Sequence, residues 1–301
     1  MQLPAHPIER PTGPPALRRV EVVINPASGG VGPDAVPAVE AILAGLGLEA
    51  RVSAPEPESI EPAIRAAIAA APELLVTLAG DGTARLAAEL CGPKGPLVAP
   101  LPGGTMNMLP RALYGRRSWQ VALTDTLSVG VERMVSGGEV GAHRFYCAAI
   151  LGSPALWGRA REAVRAGQLA RAWRAARLAF SRAFLSRLRF QLDDRPPSRA
   201  VALSLICPMI SRALDEERAL EAAVVNVHDA LEAFRLGFAN MLGDWRADPA
   251  VSVQTTRRAR VWARQSIPAL LDGELHSLGR AAEIRFLPHA FRALAPEPDE
   301  P

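Results

Sequence analysis

Two glycines, a carboxylate and a hydroxyl share one short turn of the sequence, Gly80-Asp81-Gly82-Thr83. The apolar run before the turn is typical of a buried strand, and the alanine-rich run after it is typical of a helix. Asp81 could simply cap that helix. The flanking glycines, however, would let a nucleotide approach the backbone closely, with Asp81 on Mg²⁺ or a ribose hydroxyl and Thr83 donating to a phosphate.

Two further glycine-rich loops follow strand-like runs. Ser28-Gly29-Gly30, which comes after Asn25, can point backbone N–H groups at an anion. Gly103-Gly104-Thr105, which comes before Asn107, offers N–H groups and a hydroxyl at a helix start. Each loop alone could be an ordinary tight turn. Their coincidence at neighbouring strand ends predicts a site for the phosphates of a nucleotide.

The elements that position these loops alternate between strand-like and helix-like runs from Arg19 to Tyr114. Four such repeats predict a parallel sheet covered by helices, which binds ligands at the carboxyl ends of its strands. After about residue 130, alternating apolar and polar runs predict a mainly antiparallel β region. A helical insert is expected between Trp157 and about Leu188.

The composition is that of a globular protein of one large or two modest domains. The 301 residues carry a net charge of +3, with 49% hydrophobic and 22% charged residues, which excludes a wholly disordered chain. The three cysteines, Cys91, Cys147 and Cys207, are widely spaced, so they indicate neither a disulfide framework nor a zinc site. A protein of the reducing cytoplasm is therefore expected. No run approaches the roughly 18 apolar residues that cross a bilayer. The proline-rich residues 1–18 are expected to be a loose tail rather than a signal peptide.

Four motifs in order resemble those of the diacylglycerol kinase catalytic family: INPASGG, AGDGT, LPGGTMNMLPRAL and, at 270–274, LLDGE. The resemblance runs from about residue 19 to the closing AFRALAP. It implies the fold class α/β plus β, with an N-terminal Rossmann-like parallel α/β nucleotide domain and a C-terminal, mainly antiparallel β-sandwich that receives a lipid. We expect these domains at 19–128 and 129–285, with a final strand at about 286–297 that returns to the first domain.

The same resemblance implies that ATP and Mg²⁺ are the cofactors, with Asp81 as the metal-binding residue. The other positions that match nucleotide-contacting loops of the family are Asn25, Ser28, Gly29, Gly30, Gly80, Gly82, Thr83, Gly103, Gly104, Thr105 and Asn107.

Asp272-Gly273-Glu274 is the candidate catalytic triplet. From the residues alone, a solvated hairpin turn is favoured, because Asp-Gly is the strongest hairpin dipeptide. The resemblance implies instead that Asp272 orients and deprotonates a lipid hydroxyl for phosphoryl transfer. Glu274 would assist through magnesium or a water molecule.

Three departures from the family pattern stand out. Residue 79 is alanine where members usually have glycine, and Met108 replaces an aspartate that many members, although not the sphingosine kinases, carry after Asn107. A thioether cannot replace a carboxylate around a hard cation. A glycine-rich stretch is replaced by Cys207-Pro208-Met209-Ile210-Ser211, so we expect a different lipid pocket.

A strongly basic segment runs from Arg159 to Arg189, with nine arginines and a single acid, Glu162. Its apolar residues fall on one side of a helical wheel and its arginines mostly on the other. Such a helix suits docking on an anionic membrane, or packing its apolar stripe on the sandwich. Aromatic residues are sparse, so no nucleic-acid partner is expected.

The sequence therefore predicts a lipid kinase that transfers the γ-phosphate of ATP to a hydroxyl of a diacylglycerol-like or sphingoid lipid. It would act in the cytoplasm, peripherally at the inner membrane surface. Two alternatives remain open. An NAD kinase-like enzyme shares the Gly-Asp-Gly-Thr turn but has no use for the basic helix, and a catalytically weak lipid-binding regulatory protein would account for Met108 and Ala79.

Overall fold

The structure, a computed structural model, describes residues 17–152, 155, 187–211, 218–226, 246 and 248–297. The chain forms two compact units: unit 1 comprises Met1–Met134 and Phe291–Pro301, and unit 2 comprises Val135–Ala290. The sequence prediction had placed the division near residue 128. The loose tail up to residue 16, and the helical insert with the basic segment from Trp157 to residue 186, lie outside the described residues. The end of the basic segment is described, and Leu188 and Arg189 lie in a strand there rather than in the predicted helix.

Unit 1 alternates strands with helices. Its elements are β1 (Val20–Ile24), α1 (Ala35–Gly45), β2 (Ala50–Ser53), α2 (Ile60–Ala69), β3 (Leu74–Ala79), α3 (Asp81–Cys91), β4 (Leu97–Pro102), α4 (Met108–Tyr114) and α5 (Trp119–Val129). A single 3₁₀ turn at Pro57–Ser59 precedes α2. No helix within the described part of the chain is both long enough and apolar enough to cross a membrane.

Unit 2 consists of β-strands over the residues that the structure describes. Its strands are β5 (Val131–Val140, which begins in unit 1), β6 (His143–Phe145), β7 (Ala148–Gly152), β8 (Leu188–Leu192), β9 (Ser198–Ala200), β10 (Ala202–Ile206), β11 (Leu220–Val225), β12 (Val251–Thr256), β13 (Arg258–Trp262), β14 (Ile267–Leu271), β15 (Glu274–Leu278) and β16 (Ala281–Ala295, which ends in unit 1).

The sheet of unit 1 is parallel, in the order β2-β1-β3-β4, and the end of β16 extends it beside β4, where Ala293 lies opposite Val98. All six residues of β3 are buried, as expected for a central strand covered on both faces. The buried stripe of α3 consists of small side chains: Ala84, Ala87, Ala88 and Cys91. Because these side chains are short, α3 packs closely on β3 and β4, and its first turn lies near the strand ends.

Unit 2 is a sandwich of two antiparallel sheets. One has the order β12-β11-β10-β7-β14-β15, and the other contains β16-β13-β8-β9 with β5 and β6 attached. Both sheets contribute to one apolar core, which includes Leu205 and Leu271 from the first and Phe190, Val261 and Ile284 from the second. Polar residues alternate with these along the strands, which is the pattern that the sequence showed. The predicted fold class, α/β plus β, is confirmed.

Candidate functional site

The three glycine-rich loops meet at the carboxyl ends of β1, β3 and β4. The N–H of Gly80 donates to Ser28 Oγ at 3.1 Å, and the N–H of Gly30 donates to the carbonyl oxygen of Gly103 at 2.9 Å. A Cβ on Gly104 would lie 2.7 Å from Gly80 Cα, so those two loops touch backbone to backbone. The structure thus brings together the loops that the sequence predicted to converge.

The first loop is shaped by Asn25. Its N–H donates to the carbonyl oxygen of Leu78 at 2.9 Å, and its Oδ1 accepts from the N–H of Ala27 at 3.1 Å. This is the local hydrogen bonding by which asparagine stabilises a turn. Gly29 then faces the third loop, because a Cβ built on it would lie 4.0 Å from Thr105 Oγ1. Asn25 therefore stabilises its own loop, whereas Gly29 borders the space between the first and third loops.

The second loop becomes the start of α3. Gly80 is the N-cap residue, and Asp81, Gly82 and Thr83 form the first turn, all half-buried. The first N–H groups of a helix lack acceptors within the helix, and the helix dipole makes that end positive. The turn accordingly presents backbone donors and positive potential to an anion.

The carboxylate of Asp81 does not cap its own helix. Its Oδ2 accepts from the N–H of Asn107 at 2.8 Å, and its Oδ1 accepts from the N–H of Met108 at 2.5 Å. Asn107 is the N-cap residue of α4 and makes no capping bond with its own side chain, so Asp81 caps α4 from another loop. Burial raises the pKa of Asp81 above its usual value, while these amide hydrogen bonds act in the opposite direction.

The third loop is closed by the side chain of Asn107. Its Oδ1 accepts from the N–H of Gly104 at 2.7 Å, and its Nδ2 donates to the carbonyl oxygen of Gly104 at 2.9 Å. Asn107 has a φ of 52°, in the left-handed region that asparagine tolerates better than most residues. This closure leaves Thr105 exposed at the tip of the loop.

The cluster fits phosphate groups with a magnesium ion that arrives with them. Methyl groups on Gly29 or Gly80 would reach the facing loops at 4.0 and 3.8 Å, so these glycines line a gap that a Cβ would fill. Within the described ranges, no group of three or more His, Cys, Asp or Glu residues is arranged to hold a metal. Mg²⁺ usually keeps waters and substrate phosphates with one or two carboxylates, and Asp81 can supply one of these.

In unit 2, Asp272 and Gly273 form the hairpin turn between β14 and β15. Their φ values of 45° and 88° are both positive, as a two-residue type I′ turn requires. The hairpin favoured by the sequence is therefore present. It is not solvated as expected, because Asp272 is only 6% exposed.

Three consecutive backbone amides bind the Asp272 carboxylate. Tyr146 N–H donates to Oδ2 at 2.6 Å, while Cys147 N–H and Ala148 N–H donate to Oδ1 at 2.8 and 2.9 Å. The N–H of Asp272 in turn donates to the carbonyl oxygen of Ala148 at 2.9 Å. Motif analysis missed this segment because main-chain donors have no residue-type signature. A buried acid needs compensating donors, but no sequence feature showed that Asp272 would be buried.

Glu274, the other residue of the triplet, opens β15 and is half-exposed. Its Oε2 lies 3.9 Å from Nε2 of His276, and the ring of His276 lies against that of His143, with 4.3 Å between centroids. The spacing of these histidines matches no ligand motif, so motif analysis did not pair them. The structure adds His276 as a neighbour of Glu274, and His143 as a neighbour of His276.

The stretch that departs from the family pattern, Cys207 to Ser211, forms a turn after β10. Burial and the nearby charge of Asp272 raise the pKa of the Cys207 thiol well above its usual value. Ser211 Oγ donates to the carboxylate of Glu221, which is fully buried and pairs with Arg246 at 2.6 Å. This region of unit 2 therefore contains an ion pair whose carboxylate is buried and whose arginine is partly exposed.

A cavity of about 420 Å³ also lies in unit 2. Its lining comes from the turn after β5 and from the chain around the start of β16, including Leu278, Ala282 and Arg285. None of the predicted site residues lines this cavity. The predicted site residues lie instead in the three loops and around the hairpin turn.

A comparison with known protein families bears on the first part of the chain. Residues 19–139 match the family model of the diacylglycerol kinase catalytic domain. The predicted resemblance to this family is therefore confirmed over a segment that contains all three loops. No curated protein matches the chain significantly.

Solved structures extend the likeness from that segment to nearly the whole chain. A diacylglycerol kinase from Bacillus anthracis str. Sterne superposes with a TM-score of 0.68 at 18% identity, covering 94% of this chain and 98% of that chain. Two candidate diacylglycerol kinases from the same organism give TM-scores of 0.66 and 0.65 at 16% identity, covering 94% and 92% of this chain and 98% and 97% of theirs. At these identities the likeness shows the fold.

Proposed function

We propose that the protein is a kinase that uses ATP and Mg²⁺ to phosphorylate a hydroxyl of a diacylglycerol-like or sphingoid lipid, met at the cytoplasmic surface of an anionic membrane. The observation that carries the proposal is the hydrogen-bonded cluster of three glycine-rich loops, all within the segment 19–139 that matches the diacylglycerol kinase catalytic domain.

In this proposal the loop cluster binds the triphosphate. The first-turn amides of α3 face the phosphates, Gly29 and Gly80 leave room for them, and the Thr105 hydroxyl donates to one of them. Asp81 holds the third loop in position and offers its carboxylate to the ion. Magnesium, when bound, neutralises charge on the phosphates during transfer.

Asp272 is proposed to receive the lipid hydroxyl. A bond forms between the hydroxyl oxygen and the γ-phosphorus, the bond from that phosphorus to the bridging oxygen of ADP breaks, and the hydroxyl proton passes to Asp272. Three backbone amides already donate to this carboxylate, so the hydroxyl would have to share an oxygen with the partners that are present. Those amides hold the carboxylate in one orientation. Glu274 would assist through a water molecule or magnesium.

A catalytically weak lipid-binding protein is the second candidate, and Met108 favours it. Met108 supplies only its backbone N–H to Asp81, at 2.5 Å, and adds a thioether where many members of the resembled family have a carboxylate. An NAD kinase-like enzyme is disfavoured by the match of residues 19–139 to a different kinase family.

The test is a transfer assay in neutral detergent micelles with labelled ATP and magnesium. The acceptors are diacylglycerol, phosphatidylglycerol, sphingosine and ceramide, with NAD as the soluble alternative. We expect label in one lipid class and none in NAD. Label in NAD would replace the proposal by the dinucleotide alternative, and label in no acceptor, together with no binding of ATP, would favour the regulatory protein.

A further inference from the structure

The outward face of one sheet in unit 2 is rich in arginine. Strands β8, β9, β13 and β16 bury alternate residues such as Phe190, Val261 and Ile284 in the sandwich core. The side chains between them point away from the core. Five of these outward side chains are arginines, which we call the arginine face: Arg189, Arg199, Arg258, Arg260 and Arg285.

Nearby carboxylates compensate only part of this charge. Glu283 lies on the same face and is shared by Arg285 at 2.8 Å and Arg260 at 3.2 Å. Asp194, in the turn after β8, pairs with Arg258 at 3.0 Å. Arg285 holds the pKa of Glu283 below its usual value, so this carboxylate is charged at neutral pH. Glu139 also acts electrostatically on Arg285, so five arginines against three carboxylates leave a surplus of two positive charges.

The uncompensated part of the face lies around Trp262. The strand register places Arg199 opposite Arg189, and Arg189 opposite Trp262, in one row. Among the described residues, neither Arg189 nor Arg199 forms an ion pair, and both are exposed. The guanidinium carbon of Arg189 lies 6.0 Å from the centroid of the half-buried Trp262 ring. Tryptophan with neighbouring cations is the side-chain combination found at the level of lipid headgroups.

We propose that the arginine face docks the protein on a bilayer that contains anionic lipids, with Arg189 and Arg199 binding headgroup phosphates beside an inserted Trp262. This rests on the proposed function, in which the acceptor resides in a membrane. Arginine suits this contact because its planar fork binds phosphate oxygens in pairs. Single-stranded nucleic acid also offers phosphates, but its binding uses successive aromatic platforms, and the arginine face has one aromatic ring.

The first test measures co-sedimentation of the full chain with vesicles in the absence of ATP. One set of vesicles contains phosphatidylcholine alone, and the other replaces about a third of it with anionic phosphatidylglycerol. We expect binding to the anionic set only, weakened by salt. Because each cation near such a surface contributes about a factor of five, the double variant R189Q/R199Q should bind about 25-fold more weakly.

A matched double variant controls for net charge. Arg51 and Arg116 are exposed arginines of unit 1, and R51Q/R116Q changes the total charge equally. It should bind within about twofold of the unaltered protein, since its charges lie outside the arginine face. Equal losses in the two double variants would overturn the proposal, because binding would then follow total charge. Unchanged binding by R189Q/R199Q would overturn it as well.

A variant that should bind vesicles more tightly distinguishes a lost docking contact from a general loss of folding. Glu283→Gln removes the carboxylate that Arg260 and Arg285 share, so it should strengthen vesicle binding about fivefold. Glu61→Gln is the control, because Glu61 pairs with Arg65 at 2.7 Å on a surface helix of unit 1. Weaker binding by Glu283→Gln, or tighter binding of the protein to single-stranded RNA than to anionic vesicles, would overturn the docking surface.

The same proteins in the neutral-micelle assay separate this inference from the proposed function. Transfer by R189Q/R199Q in micelles at the unaltered rate, with weakened vesicle binding, supports both. If R189Q/R199Q transfers phosphate normally and also binds vesicles as the unaltered protein does, the docking surface is overturned but the proposed function is not. No transfer by any protein, with vesicle binding that still depends on Arg189 and Arg199, overturns the lipid kinase and leaves a membrane-binding protein.

Discussion

Each unit contains an aspartate whose carboxylate is held by backbone amides, yet the two surroundings differ. Asp81 is half-buried among glycine-rich loops and accepts from two amides at the start of α4. Asp272 is 6% exposed and accepts from three amides, two in the connection between β6 and β7 and one at the first residue of β7. The Asp81 carboxylate joins two loops, so its main effect should be on the shape of the site between them. The Asp272 carboxylate fixes a buried turn in one orientation, so it should also stabilise unit 2.

The largest expected effect comes from Asp272→Asn. The amide group keeps one oxygen but turns an NH₂ toward backbone donors, so at least one buried N–H loses its acceptor, at a cost of about 1–3 kcal/mol in unfolding free energy. If Asp272 also accepts the hydroxyl proton, turnover per folded molecule should fall by about 100- to 10,000-fold. Denaturant unfolding and the micelle assay below the unfolding transition measure the two effects separately.

Asp193→Asn is the matched control for that variant. Asp193 also has a left-handed φ, 48°, and its Oδ1 accepts the N–H groups of Arg257 and Arg258 at 3.0 Å each. It has no proposed part in the reaction. This variant should lose stability while its turnover per folded molecule stays the same. Equal losses of turnover in both variants would make Asp272 a structural residue only.

A smaller effect is expected from Asp81→Asn. The start of α4 would lose one charged acceptor, and the third loop would no longer be held against the second. We expect affinity for magnesium-bound ATP to fall about tenfold, the value of one charge-assisted hydrogen bond. Calorimetric titration measures it. Asp34→Asn is the control, because Asp34 precedes α1 without making a side-chain capping bond; the same loss there would show that the effect is not specific to Asp81.

The smallest effect concerns pH. Because burial raises the pKa of Asp81 in the folded state, the folded protein binds this proton more tightly than the unfolded chain does. The contribution of Asp81 to the free energy of unfolding should therefore increase as the pH falls through the raised pKa, and the asparagine variant lacks it. In thermal unfolding from about pH 7 to about pH 4, the unfolding temperature of the unaltered protein should rise relative to that of Asp81→Asn as the pH falls. A difference that changes in the opposite direction contradicts this assignment.

The convergence of the loops could be predicted from the sequence, because glycines after buried parallel strands must lie at one edge of the sheet. The partners of Asp81 and Asp272 could not, since they are main-chain amides brought close by the fold. The Asp-Gly dipeptide predicted the hairpin but gave no sign that Asp272 would be buried. The last strand was expected at about 286–297 but begins at Ala281, because Pro288 interrupts the pattern that marks a strand.

The central claim is that the gap between the loops holds the phosphates of a nucleotide, and Gly80→Ala tests it most directly. A methyl group there meets its nearest neighbours only at 3.8 Å, and the backbone conformation, φ −80° and ψ 175°, is open to alanine, so the fold should be unaffected. Gly45→Ala, at an exposed position with no atom within 4 Å, is the control. In calorimetric titrations with magnesium-bound ATP, we expect one site in the unaltered protein and in Gly45→Ala, weakened about 10- to 100-fold in Gly80→Ala at unchanged thermal stability. Equal affinity in all three proteins, or no binding to any of them, would contradict the account.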